Sequence, residues 1–163
     1  MKKTILILAS IAFFTTGLFA GNARDIYKKY AGKDDVDAVF ISSAMFRLIG
    51  ALPEVKSAGE NLDFTPLMRS LTGMYILDSH NGSATGDLKR DVESYVGSDS
   101  FELLMEANDG GEKVRMYTSG SGEIIDKFIL FVAENNAAGC TFIALEGKMK
   151  REDIEKVVAK SIK

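Results

Sequence analysis

FELLMEANDGGEKVRMYTSGSGEIIDKFILFVAENNAAGCTFIAL, residues 101–145, is the stretch whose reading decides the fold. Phe101, Leu103, Met105 and Ala107 alternate with Glu102, Glu106 and Asn108, the period of a strand with one buried face. Leu104 interrupts the polar side. Asn108-Asp109-Gly110-Gly111 tolerates positive φ and predicts a tight hairpin. The return strand sets Val114 and Met116 against Lys113 and Arg115, so that Glu102 and Glu106 can pair with these cations for a few tenths of a kcal/mol. Ser119-Gly120-Ser121-Gly122 punctuates the chain before a strand over 124–133, in which Phe128-Ile129-Leu130-Phe131-Val132 is apolar on both sides. After Asn135–Gly139, Cys140–Leu145 is again apolar on both sides. Strands of that kind belong in the middle of a sheet. Short turns between the four predict an antiparallel meander.

The flanking sequence completes the architecture. Arg24–Ala31 predicts a short amphipathic helix carrying Ile26, Tyr27 and Tyr30, closed by Gly32. Val36–Ile41 reads as a strand. Ser42 or Ser43 can cap a following helix in which Met45, Leu48, Ile49 and Leu52 share a face and Pro53 ends the run. Glu54–Asn61 is a polar loop, and Asp63–Leu71 a short helix with Pro66 in its first turn. Gly73–Leu77 predicts a strand and Asp78–Ser83 a loop. Thr85–Val96 predicts a helix with Leu88, Val92, Tyr95 and Val96 on one stripe, stopped by Gly97. Arg151–Ile162 closes the chain as a helix with Ile154, Val157 and Val158 inward; Asp153 in its first turn and Lys160 in its last suit the dipole. The expectation is an α+β fold: a mixed, largely antiparallel sheet of about six strands, with helices packed mainly on one face.

Residues 1–20 stand apart. Lys2 and Lys3 precede an apolar run from Ile5 to Phe14, and Thr15–Ala20 ends in small residues. This is the pattern of a secretory signal peptide, cleaved after Ala20 or as late as Ala23, and it is too short for a membrane span. No cysteine stands near its end, so lipid anchoring is not expected. Residues 21–163 then form a single domain, exported to the periplasm or secreted, with about 140 residues to build a core. Losing Lys2 and Lys3 leaves 18 basic against 23 acidic residues, a net charge of −5 instead of −3. An acidic domain lacks the basic stripe that nucleic-acid phosphates require. The lone Cys140 has no intramolecular disulfide partner.

Val39–Phe46, Leu71–Leu77 and Thr141–Gly147, followed by Glu152-Asp153-Ile154, resemble the DUF4252 family. The resemblance implies a small exported protein of Bacteroidetes and a place in the bacterial envelope. The motifs are packing and turn motifs, and they imply no catalytic residue.

Each reactive candidate meets a plainer reading. His80 with Asp78 is far short of a metal site. Cys140 opens an apolar strand, where a free cysteine is usually a small buried hydrophobe rather than a thiolate paired with His80. Gly82-Ser83-Ala84-Thr85-Gly86 could hold an anion at a helix start, but it lacks a lysine and Asp87 follows; capping accounts for it. Asp34, Asp35 and Asp37 are interrupted by strand residues and do not make a calcium loop. Glu102 and Glu106 would sit about 13 Å apart on one strand, too far for a retaining glycosidase pair. Seven methionines are core filler, and the absence of tryptophan argues against a carbohydrate-stacking platform. No catalytic, cofactor-binding or metal-ligating residue is therefore assigned. Leu104 and Tyr117, apolar on the otherwise polar side of the first hairpin, mark a candidate interaction patch.

The expected function is a non-enzymatic binding or interaction domain. Its partner would be a protein or small-molecule ligand of the cell envelope, with no cofactor and no membrane span after signal cleavage. Two alternatives are an envelope-stress or regulatory accessory protein acting with a membrane partner, and a hydrolase whose carboxylates are gathered only by the fold.

Overall fold

The computed structural model describes residues 22–50, 65–80, 82–98, 100–135 and 139–161. The expected signal segment, the loop at 54–61, Leu52 and the side chains of Val157, Val158 and Lys160 lie outside what is described. The elements run α1 (Ala23–Tyr30), β1 (Val36–Ser42), α2 (Ser43–Gly50), α3 (Thr65–Ser70), β2 (Leu71–His80), α4 (Ser83–Val96), β3 (Glu102–Asp109), β4 (Glu112–Ser121), β5 (Ile124–Glu134), β6 (Gly139–Lys150) and α5 (Arg151–Ser161).

The six strands make one sheet in the order β1-β2-β6-β5-β4-β3. The meander over β3–β6 forms as expected, with β5 and β6 interior. The largely antiparallel sheet proves antiparallel in every described pairing. The connections explain why. Ser42 pairs with Gly73, so β1 ends and β2 begins at the same end of the sheet. The helices between them act as an enlarged turn rather than a crossover. That end is called lower here, and the end holding His80 and Asp109 upper.

Alternation sorts the sheet into two faces. Tyr75, Leu77, Ile129, Phe131, Cys140, Phe142 and Ala144 share the front face with α1 and α4, around Ile26, Tyr30, Leu88, Val92 and Tyr95. On the back, Met74, Phe128 and Leu145 pack with Phe46, Leu71, Ile125, Met149 and Ile154 under α2, α3 and α5 at the lower end. The expected packing mainly on one face thus describes α1 and α4, while α2, α3 and α5 close one end of the other face.

Several expectations need correction. β2 reaches His80, so Asp78 and Ser79 belong to a strand and not to a loop. The cause lies in contacts beyond the strand: Ser79 turns inward, its hydroxyl shares a 2.7 Å hydrogen bond with the Thr85 hydroxyl, and the His80 N–H donates to the Asp35 carbonyl at 3.1 Å. In α2 the inward residue is Phe46, whereas Met45 and Leu48 are exposed. In β3 no face is buried: Leu103 and Leu104 are exposed and only Met105 is half-buried, because this strand is the sheet edge beyond the reach of α4.

Candidate functional site

Three strands lose register at the same level of the sheet. β2 shifts against β6 between Leu71 and Gly73, β5 against β6 between Ile125 and Lys127, and β4 against β5 between Ser119 and Gly120. Each shift leaves residues unpaired in its own ladder: Thr72 on β2 against β6, Asp126 on β5 against both β4 and β6, and Gly147-Lys148 on β6 against β5. Bulges bend strands and re-aim side chains, and they gather near functional sites. Here the residues they displace line one cleft of about 500 Å³, together with Asn22, Arg24, Tyr75, Lys127 and Glu146. Gly147 is required in its floor, since a Cβ there would lie 2.2 Å from the Ser70 carbonyl oxygen.

Glu146 is the centre of the site. It continues the inward alternation of Cys140, Phe142 and Ala144, which places a carboxyl where α4 no longer covers the sheet. Lys127 of β5 stands directly across from it, and Gly73 of β2 on the other side. Burial pushes its carboxyl above the usual carboxylate range, against the pull of Lys127 and Arg24. Tyr75, buried beside it, is raised first by burial and then by the charge of Glu146. Tyr95, at the end of α4, has a buried hydroxyl without a hydrogen-bond partner among the described residues. Burial and then Glu146 raise it, and the Ala23 backbone N–H partly offsets them without completing a well-directed bond.

Positive charge is arranged around this centre. The Lys127 ammonium lies 5.6 Å from the Tyr95 ring and 5.8 Å from the Phe101 ring, cation–π contacts that fix its stem. Those rings meet edge-on at 4.9 Å. Lys148 is bound to Asp126 at 2.5 Å. Asn22 and Asp25 cap α1 reciprocally, and this sets Arg24 at the rim. With Lys148 and Asp126 satisfying each other, Arg24 and Lys127 face a single carboxyl that is reluctant to ionise.

The sequence candidates lie elsewhere. Tyr117 is in the front core at 9% exposure, whereas Leu104 is 38% exposed on the edge strand. The two do not form a shared patch, because the side of the hairpin that reads as outer is covered at β4, where Tyr117 joins the front cluster, and not at β3. Arg115, next to Tyr117 on that side, lies over the Phe131 ring at 5.1 Å and reaches Glu93 of α4 at 2.9 Å. Glu106 pairs with Lys113 at 3.0 Å as expected.

His80 sits on the back face at the upper end, 3.2 Å from Asp37 and 3.4 Å from Asp78; His80 and Asp37 are exposed and Asp78 is half-buried. Asp78 also accepts a 2.8 Å bond from the Thr141 hydroxyl. Among the described residues no group of three or more His, Cys, Asp or Glu is arranged to hold a metal. Cys140 is buried on the front face opposite Ser79, so sheet parity separates it from His80, and burial pushes its thiol up to about 11. The anion-like loop before α4 is filled from within the chain: Asp35 accepts from the Ala84 N–H at 3.0 Å.

Of the cleft residues, sequence reasoning passed over all. Glu146 alone left a signal, as the carboxylate that breaks an apolar strand at an inward position. The others include Asn22 and Arg24, about 120 residues away in the chain, and the aligned bulges together with the start of α1 bring them to one place.

No curated protein and no solved structure matches the chain. Residues 27–157 match the model of DUF4252, a domain of unknown function, and this protein belongs to that family.

Proposed function

We propose that the protein is an exported, non-enzymatic binding domain of the bacterial envelope, and that its cleft holds a small polar ligand carrying a carboxylate. Export is supported by the basic start and the short apolar run of residues 1–20. The observation that carries the binding reading is the cleft itself, in which Arg24 and Lys127 stand around the half-buried Glu146 on a floor of bulged strands. Convergent polar groups in a concavity beside aromatic side chains are what a ligand site requires. Arg24 presents the planar fork that suits a carboxylate, while Tyr75 and Asn22 offer neutral hydrogen bonds at the rim; the Thr72 hydroxyl already donates to the Glu146 carbonyl at 3.0 Å. Asp126 and Glu146 share the cleft, which touches on the hydrolase alternative. Asp126 is committed to Lys148, and His80 lies at the far end of β2 on the other face. The arrangement suits holding a ligand better than general acid–base work.

A carboxylate can belong to a peptide terminus or to an acidic sugar, so two probes are needed. Trialanine and galacturonate are titrated separately into isotope-labelled protein, and backbone amide shifts are followed by NMR. The expected result is saturable change at residues 72–75, 126–127 and 146–148 with one probe, abolished by Arg24→Ala combined with Lys127→Ala. No saturation into the millimolar range with either probe, or changes confined to other surfaces, overturns the reading.

A further inference from the structure

Of the seven large hydrophobic side chains exposed among the described residues, four lie within ten residues of chain: Val39 at 47%, Phe40 at 44%, Met45 at 48% and Leu48 at 63%. They sit on β1 and on the helix that follows it. β1 is an edge of the sheet, and the two edges are treated differently. β3 is blunted by a bulge at Leu104 and by Glu102, Glu106 and Asp109. β1 pairs with β2 through seven residues without a shift, and VDAVFIS contains no lysine or proline. A flat, apolar, regular edge is a template for another strand.

The backbone groups of β1 that have no partner among the described residues say which strand. The His80 N–H donates to the Asp35 carbonyl at 3.1 Å, and antiparallel bonds alternate from there. Asp37, Val39 and Ile41 therefore point their backbone groups at β2, while Val36, Ala38, Phe40 and Ser42 point theirs outward. The Val36 N–H is already taken by the Lys33 carbonyl. A second β1 laid antiparallel about a two-fold axis through Val39 meets this pattern. Ala38 of each copy exchanges both bonds with Phe40 of the other, and Ser42 N–H donates to the remaining Val36 carbonyl. Moving the axis to Ala38 or Phe40 keeps side chains on matching faces but leaves outward groups unpaired. The Val39 register also sets Phe40 beside the small Ala38 and Asp37 beside Ile41, so the two Asp37 carboxylates do not oppose each other.

We infer that two copies of this chain join through β1, antiparallel about Val39, into one continuous sheet. The interface is isologous, as two-fold dimers require, and the apolar corner of β1 and α2 flanks it. The cleft lies on the front face one strand in from this edge, and its Tyr75 stacks on Phe40 of β1 at 5.0 Å.

The test uses the purified protein in sedimentation equilibrium, with cysteine cross-linking as a register gauge. The expected wild-type species is a dimer, and Val39→Lys raises its Kd by about tenfold or more. Across the two-fold axis the Val39 pair is of the close, non-hydrogen-bonded kind, with Cα atoms about 4.5 Å apart. Val39→Cys should therefore oxidise to a covalent dimer, and Asp37→Cys should not; the buried Cys140 does not compete. A wild type that stays monomeric into the high micromolar range overturns the inference. So does a dimer indifferent to Val39→Lys, cross-linking at Asp37→Cys instead, or a β1 edge occupied by an extended segment of another protein. Should Val39→Lys fail to fold, the contrast between the two cysteine variants decides the matter.

Discussion

Glu146 shows how one residue couples stability to pH in this protein. Burial holds its carboxyl above the range it has in the unfolded chain, so the folded state binds the proton more readily. Stability from this group is fully present below the unfolded value and is lost as pH rises through the folded one. Glu146→Gln removes the ionisation while keeping the shape. The variant should unfold at a higher temperature than wild type at pH 7–8, and the difference should close towards pH 4. Thermal unfolding followed by circular dichroism across that range checks both the sign and the convergence. Residue-level reading of the sequence did less well with Tyr117. Its alternation with Lys113 and Arg115 marks an outer side, but both faces of this sheet are apolar, and alternation cannot say which one a distant helix will cover. Arg115 lends its stem to the covered face while its charge reaches Glu93, so a charged residue disguises an inner position.

At the scale of elements, strands with strong period-two or two-sided apolar patterns were legible, and β3 to β6 follow the sequence closely. Boundaries set by long-range contacts were not. β2 runs on to His80 because Ser79 finds Thr85 and because the Asp35 carbonyl continues the ladder. The three register shifts were also illegible, since glycine in a strand signals a bulge without saying where its neighbours will break step. Gly147 gives that statement a test. Gly147→Ala drives a Cβ into the Ser70 carbonyl oxygen and the Leu71 Cα, and because every atom it meets is backbone, nothing flexible is there to yield. A loss of about 1–3 kcal/mol is expected. Gly86 lies inside α4 with open space around it, and Gly86→Ala should gain up to about 1 kcal/mol from helix propensity. Urea unfolding of the two variants alongside wild type measures both. Equal effects of the same sign would mean that the β6 bulge is not held as described.

For the whole molecule, the sequence conveyed the class and the meander, whereas the division of the helices between two faces required the fold. The front cluster draws on α1, α4 and five strands, with Cys140 inside it at 4% exposure. That makes the single thiol a reporter on the integrity of the larger core. Two barriers protect it. Reagents cannot reach the sulfur without separating α4 from the sheet, and burial holds the thiol up to about 11, so little thiolate exists near pH 8 even where access is brief. Under native conditions an aromatic disulfide reagent should therefore label Cys140 only as fast as the core opens. The rate should rise with urea in step with global unfolding, because local fraying of β6 is opposed by strands on both sides. Full, rapid labelling of one thiol per chain is expected in denaturant. Prompt labelling in native buffer would mean that the front face opens independently of the rest, and α4 would then have to be regarded as a detachable cover over the sheet.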